Sequence, residues 1–124
     1  MINELELPSP VYLGCWADPH HWNPTGKEGL LADFGIDSAV LEPCSILIAE
    51  YDLFNYEGSA FVLFVKDGKL YEVAAYHCSC FGLEEDGWKP EETTAGAILK
   101  RNLLKKYGES FLPIYNFLKI LEGQ

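Results

Sequence analysis

The tetrapeptide Lys66-Asp67-Gly68-Lys69 constrains this chain more than any other feature. It separates Ala60-Phe61-Val62-Leu63-Phe64-Val65 from Leu70-Tyr71-Glu72-Val73-Ala74-Ala75-Tyr76, two runs rich in β-branched and aromatic residues. Asp-Gly between such runs predicts a two-residue hairpin loop, because both loop residues must take positive φ and this pair does so at low cost. With Asp67 and Gly68 as the loop, Val65 faces Leu70, Leu63 faces Glu72 and Phe61 faces Ala74 on one side. Phe64/Tyr71, Val62/Val73 and Ala60/Ala75 then pair on the other. Both faces are largely apolar, so both need a cover: helices on one, and the N-terminal segment, a partner or a second copy in a homodimer on the other.

The run Ser45–Tyr51 predicts a further strand, joined to the hairpin by the turn-rich residues 52–58. Residues 94–107 read as a helix, with Thr93 or Thr94 as N-cap, Glu91 and Glu92 at the positive end of the dipole, and Gly108 at its end. Residues 109–121 read as a second helix, with Phe111, Ile114, Tyr115, Leu118 and Leu121 at helical spacing and Pro113 in its first turn. The first 43 residues are punctuated by Pro, Gly and Asp. They offer only Leu5-Glu6-Leu7 and Val11-Tyr12-Leu13 as short strands, and one or two helical turns over Lys27–Phe34 with Gly35 as a stop. The expectation is a single α+β domain over 1–124: an irregular acidic part (1–43), a three-stranded antiparallel β-meander (44–78) and two C-terminal helices (93–122).

Charge narrows the function. The 124 residues carry 19 acids against 9 bases, a formal charge of −10, which is the wrong sign for gripping phosphate backbones and disfavours direct nucleic-acid binding. The asymmetry is sharper by halves: residues 1–65 hold ten acids and only Lys27, while residues 66–124 hold nine acids and eight bases. An acidic surface of that density attracts a basic protein partner, although it also serves simply as a solvated surface. The candidate partner-binding residues are the carboxylates Asp18, Asp33, Asp37, Glu42, Asp52 and Glu57, with Trp16, Trp22, Tyr56 and Trp88 as aromatic anchors. As core, the same Trp residues would simply lid the sheet. The N-terminus bears acid where a signal peptide needs base, and no apolar run approaches the ~20 residues of a membrane span, so a cytoplasmic protein with reduced thiols is expected.

The segment Tyr76-His77-Cys78-Ser79-Cys80 admits three readings. The first is packing: small cysteines at a strand end and a hydrogen-bonded His. In the second, Cys78 and Cys80, on one face of an extended strand, take His77, His20, His21 or Cys15 as further ligands and hold zinc, with one residue between the cysteines where two to four is the usual spacing. The third is a thiol nucleophile with His77, His20 or His21 as base, for which the sequence holds no oxyanion or orienting signature. A Gly-rich phosphate loop, a His-Glu-x-x-His helix and a Gly-x-Ser-x-Gly elbow are all missing from the sequence, so no enzyme activity and no cofactor other than zinc is expected.

From Ala60 to Thr94 the order strand, Lys-Asp-Gly-Lys, strand, His-Cys-Ser-Cys, Gly82-Leu83-Glu84, Trp88 and Pro90-Glu91-Glu92-Thr93-Thr94 resembles a group of small phage and prophage proteins. Here Glu85-Asp86-Gly87 lengthens the connection to Trp88, and the first 43 residues stand outside the resemblance. The group shares no agreed activity. The resemblance implies a class of behaviour: small acidic phage proteins without catalytic motifs act by stoichiometric binding to a host protein, including restriction or CRISPR machinery with basic surfaces. The functional expectation is therefore a non-enzymatic inhibitor of a host nucleic-acid-handling or defence complex, with a zinc-binding module and a thiol-dependent enzyme as alternatives.

Overall fold

The computed structural model describes residues 2, 5–18, 24–54, 57–78 and 82–124. The hairpin forms as its turn chemistry dictates: Asp67 and Gly68 take φ of 52° and 73°, and Val65↔Leu70, Phe64↔Tyr71, Val62↔Val73 and Phe61↔Ala74 pair across it. The strands are β2 (Ser45–Phe54), β3 (Glu57–Lys66) and β4 (Lys69–His77).

The sheet is larger than the expected three-stranded antiparallel meander. It has five strands in the order β1-β2-β3-β4-β5 and is mixed. β1 (Val11–Gly14) runs parallel to β2, Val11 opposite Ile48 and Gly14 opposite Tyr51. β5 (Glu91–Thr93) pairs antiparallel with Leu70–Glu72 of β4. The N-terminal part is accordingly not irregular. After β1 the chain crosses over through α1 (Gly26–Phe34) and α2 (Ser38–Leu41) to reach β2, a strand–helix–strand unit. Gly35 closes α1 in a left-handed cap with φ of 67°, and the Asp37 carboxylate caps α2 by accepting the Ala39 N–H at 2.9 Å.

At the C-terminal end the two expected helices are more broken. The predicted 94–107 helix is α4 (Ala95–Leu99) and α5 (Leu103–Tyr107), split at Asn102, whose φ of 55° cannot continue a right-handed helix. Thr94 caps α4, its hydroxyl accepting the Ala97 N–H at 3.1 Å. Glu91 and Glu92, expected beside that helix as dipole partners, are strand residues. A 3₁₀ turn over Gly108–Phe111 then leads into α6 (Leu112–Glu122), with Pro113 in the first turn, where its missing N–H does no harm.

Both apolar faces of the sheet are covered from within the chain. On one face Leu47, Ile48, Leu63, Val65 and Leu70 pack against Ile98, Phe111, Ile114 and Leu118 of the C-terminal helices. On the other, Ile46, Ala49, Val62, Phe64 and Val73 pack against Trp16, Leu30, Phe34, Leu41 and Leu83. The last of these belongs to α3 (Leu83–Asp86), which packs on α1 and β4. The register of β2 slips between Ile46 and Ile48, and that bulge lets both Leu47 and Ile48 reach the C-terminal core. Each large side chain so buried contributes about 1.5–3 kcal/mol of transfer free energy. No helix among the described residues is long and apolar enough to cross a membrane.

Candidate functional site

Folding rearranges the charge. α3 brings Glu84, Glu85 and Asp86 from the second half of the sequence onto the layer that holds Glu28, Asp33, Asp37 and Glu42. The opposite layer carries Lys105, Lys106 and Lys119 on its helices, with Lys100 and Arg101 in the turn between α4 and α5. Part of that basic face is already engaged. Arg101 grips Glu72 through two hydrogen bonds of 2.5 and 2.7 Å, and Lys106 lies 3.8 Å from Glu50, which also accepts the Tyr107 hydroxyl at 3.0 Å. Arg101 holds the Glu72 carboxyl below its ordinary range.

Those two carboxylates mark where the C-terminal helices stop covering the sheet. Side chains alternate along a strand, so Asp52 and Phe54 follow Ile48 on this face, and Ser59 and Tyr76 stand beside Asp52 in register. Phe54 is 73 % exposed and Tyr76 55 % exposed. Asp52, Phe54, Glu57, Gly58, Ser59 and Tyr76 line a hollow of about 160 Å³, with the Tyr76 hydroxyl donating to Glu57 at 3.2 Å. The lining offers two carboxylates and two aromatic rings and no Lys or Arg among the described residues. Sequence reasoning named Asp52 and Glu57 and missed Phe54 and Tyr76. The missed signal was the length of β2 and β3, which carries these positions past the helices that bury their neighbours.

The other nominated residues separate into structural roles. Trp16 is 1 % exposed and donates its indole N–H to Asp33 at 2.8 Å, so it is core and not a surface anchor. Trp88 is half-buried, stacked on Phe64 with ring centroids 5.6 Å apart and edge-on to Phe34 at 5.2 Å. Asp37 is spent on its cap, while Asp18 and Glu42 are exposed. Trp22, Tyr56, His20, His21 and Cys80 lie outside the described residues.

His77 is buried beside Gly58. Its Nδ1 lies 2.9 Å from the Cys78 carbonyl and its Nε2 2.6 Å from the Tyr51 hydroxyl. A carbonyl only accepts, so Nδ1 carries a proton, and in the neutral ring Nε2 then accepts from the Tyr51 hydroxyl. With both nitrogens engaged, His77 would have to give up one of these bonds to ligate zinc or to serve a thiol as base. Cys78, next along the chain, is exposed. No group of three or more His, Cys, Asp or Glu residues that could hold a metal ion occurs among the described residues.

Burial pushes the Tyr51 hydroxyl's pKa up, and Asp33, Cys15 and Glu84 push it further in the same direction. Burial likewise raises the Asp33 carboxyl, with Glu84 adding to the effect and the Trp16 N–H and His77 opposing it. A carboxyl raised on folding favours the native state when protonated: its contribution is full below the unfolded pKa and is lost as pH rises through the folded one. At neutral pH ionised Asp33 therefore weakens the fold. Asp33→Asn is expected to raise Tm by about 1–2 °C near pH 7, a small effect because the group is half-exposed and screened. The gain should vanish near pH 3, where both carboxyl states are protonated. Thermal melts at the two pH values check the sign.

Comparison with protein-family models, curated proteins and solved structures returned no match for this chain.

Proposed function

We propose that the chain is a non-enzymatic, phage-type acidic protein that binds and blocks a basic host complex that handles nucleic acid or defends the cell, in the manner of anti-restriction or anti-CRISPR inhibitors, in the host cytoplasm. One observation carries the reading: at the uncovered end of the sheet, Phe54 and Tyr76 stand exposed beside Asp52 and Glu57. Aromatic side chains that bury on contact supply most of the affinity at interfaces, and flanking charge selects the partner and speeds encounter. Carboxylates in this arrangement favour a partner surface rich in Lys and Arg, the kind that nucleic-acid-handling proteins present. The formal charge of −10 extends the same attraction beyond the contact itself.

The test is capture from bacterial lysate on the immobilised chain, comparing it with the double variant Phe54→Ser/Tyr76→Ser. The expected result is a discrete basic protein whose retention falls at least about tenfold in the variant, since hot-spot aromatics cost 2 kcal/mol or more when removed. Retention should also fall between about 0.1 M and 0.5 M salt. Both side chains are exposed, so the variant should melt with the parent. Equal retention by the two proteins, or retention indifferent to salt, would overturn the reading.

A further inference from the structure

On the opposite layer, between α2 and the sheet, lies a cavity of about 290 Å³ lined by Val40, Cys44, Phe64, Lys66, Tyr71 and Trp88. Its aromatic wall is ordered. Phe64 stacks on Tyr71, its partner across the hairpin, at 5.5 Å and 17°, and on Trp88 at 5.6 Å and 19°. Three rings held nearly parallel favour a flat guest that stacks in the same orientation. The volume suits one ring with a small substituent, given that an apolar cavity of ~150 Å³ holds benzene.

Charge selects the substituent. Lys66 is half-buried on the wall and makes no ion pair among the described residues. Burial pushes the Cys44 thiol up; against it Lys66, and after it Lys27, favour negative charge there, while Asp67 at the hairpin tip acts with burial. In a chain this acidic, such a spot is locally positive. Cys44 itself is committed to the wall, its thiol donating to the Val40 carbonyl at 3.6 Å.

We propose that this cavity binds a free small aryl carboxylate, its ring stacked on the aromatic wall and its carboxylate on the Lys66 ammonium. The site is independent of the Phe54–Tyr76 surface, on the other face of the sheet, and stands or falls without it.

Benzoate and its neutral isostere benzamide are the probes. The readout is the Trp88 indole N–H signal in NMR titrations, assigned by its loss in Trp88→Phe. Benzoate should shift that signal saturably, with a Kd in the millimolar range. It should bind about threefold to fivefold tighter than benzamide, the ratio a partly exposed ion pair provides. Lys66→Gln should bring benzoate down to the benzamide affinity without lowering Tm. No saturable shift with benzoate, equal affinities for the two probes, or full benzoate affinity in a folded Lys66→Gln would each overturn the proposal.

Discussion

Gly14→Ala is expected to destabilise the protein by about 3 kcal/mol, with a lower urea midpoint and an unchanged m-value. Gly14 ends β1 at φ 67°, and a Cβ built there falls 2.1 Å from the Tyr51 carbonyl oxygen. That oxygen accepts the Cys15 N–H at 2.8 Å, so the clash is with backbone already locked into the β1–β2 ladder. Two costs combine: a left-handed conformation is worth about 1–2 kcal/mol against an L side chain, and forced overpacking about 1–3 kcal/mol. Gly35 separates them. It has the same φ, 67°, in the left-handed region, but a Cβ there meets only the Glu84 Cβ at an ordinary 3.5 Å, so Gly35→Ala should cost only the conformational part, about 1–2 kcal/mol. If the two variants lose the same stability, the close approach of β1 to β2 is not what holds the N-terminal part.

The same pair of strands shows why the sequence disclosed one hairpin in full and the rest of the sheet in part. Asp67-Gly68 is a local signal: turn geometry fixes register over short range, and every predicted partner from Val65↔Leu70 to Ala60↔Ala75 occurs. β1 is four residues long, lies just after Pro8 and Pro10, and pairs in parallel with residues 37 positions away. No turn records a pairing made through a crossover. β5 is shorter still and holds two glutamates, which read equally well as helix-dipole residues. Amphipathic spacing found the two C-terminal segments, but periodicity carries no mark of the left-handed Asn102 that divides the first. The double-sided apolar pattern of β3 and β4 did require two covers, and α1 and α2 turn out to form one of them.

Candidate residues fared by the kind of fact each needed. Residue type marks an aromatic or a carboxylate as able to bind, but exposure is settled by how far a strand outruns its covering helices. Trp16 went inside while Phe54 stayed out. The charge split at Val65 was real along the chain and misleading in space, because α3 returns Glu84–Asp86 to the N-terminal layer.

The buried Tyr51–His77 pair carries the second large effect. Gly58→Ala is expected to cost about 3–4 kcal/mol, because the new Cβ would sit 2.2 Å from His77 Nε2 and 2.8 Å from Tyr51 Cε1. His77 is 5 % exposed and anchored at its other nitrogen to the Cys78 carbonyl, so it cannot swing aside cheaply. Moving it breaks the 2.6 Å bond to Tyr51 and leaves a buried acceptor and a buried hydroxyl unsatisfied. Tyr51→Phe removes the hydroxyl without the clash and should cost about 2 kcal/mol, the penalty of one orphaned buried group. Because both substitutions break the same bond, the double variant should lose about 1–2 kcal/mol less than the sum of the singles. Simple additivity in urea unfolding would mean that the hydrogen bond contributes nothing and that Gly58 is needed only for space. A shortfall of the expected size would show the pair joining β2 to the end of β4, directly behind the surface that presents Phe54 and Tyr76.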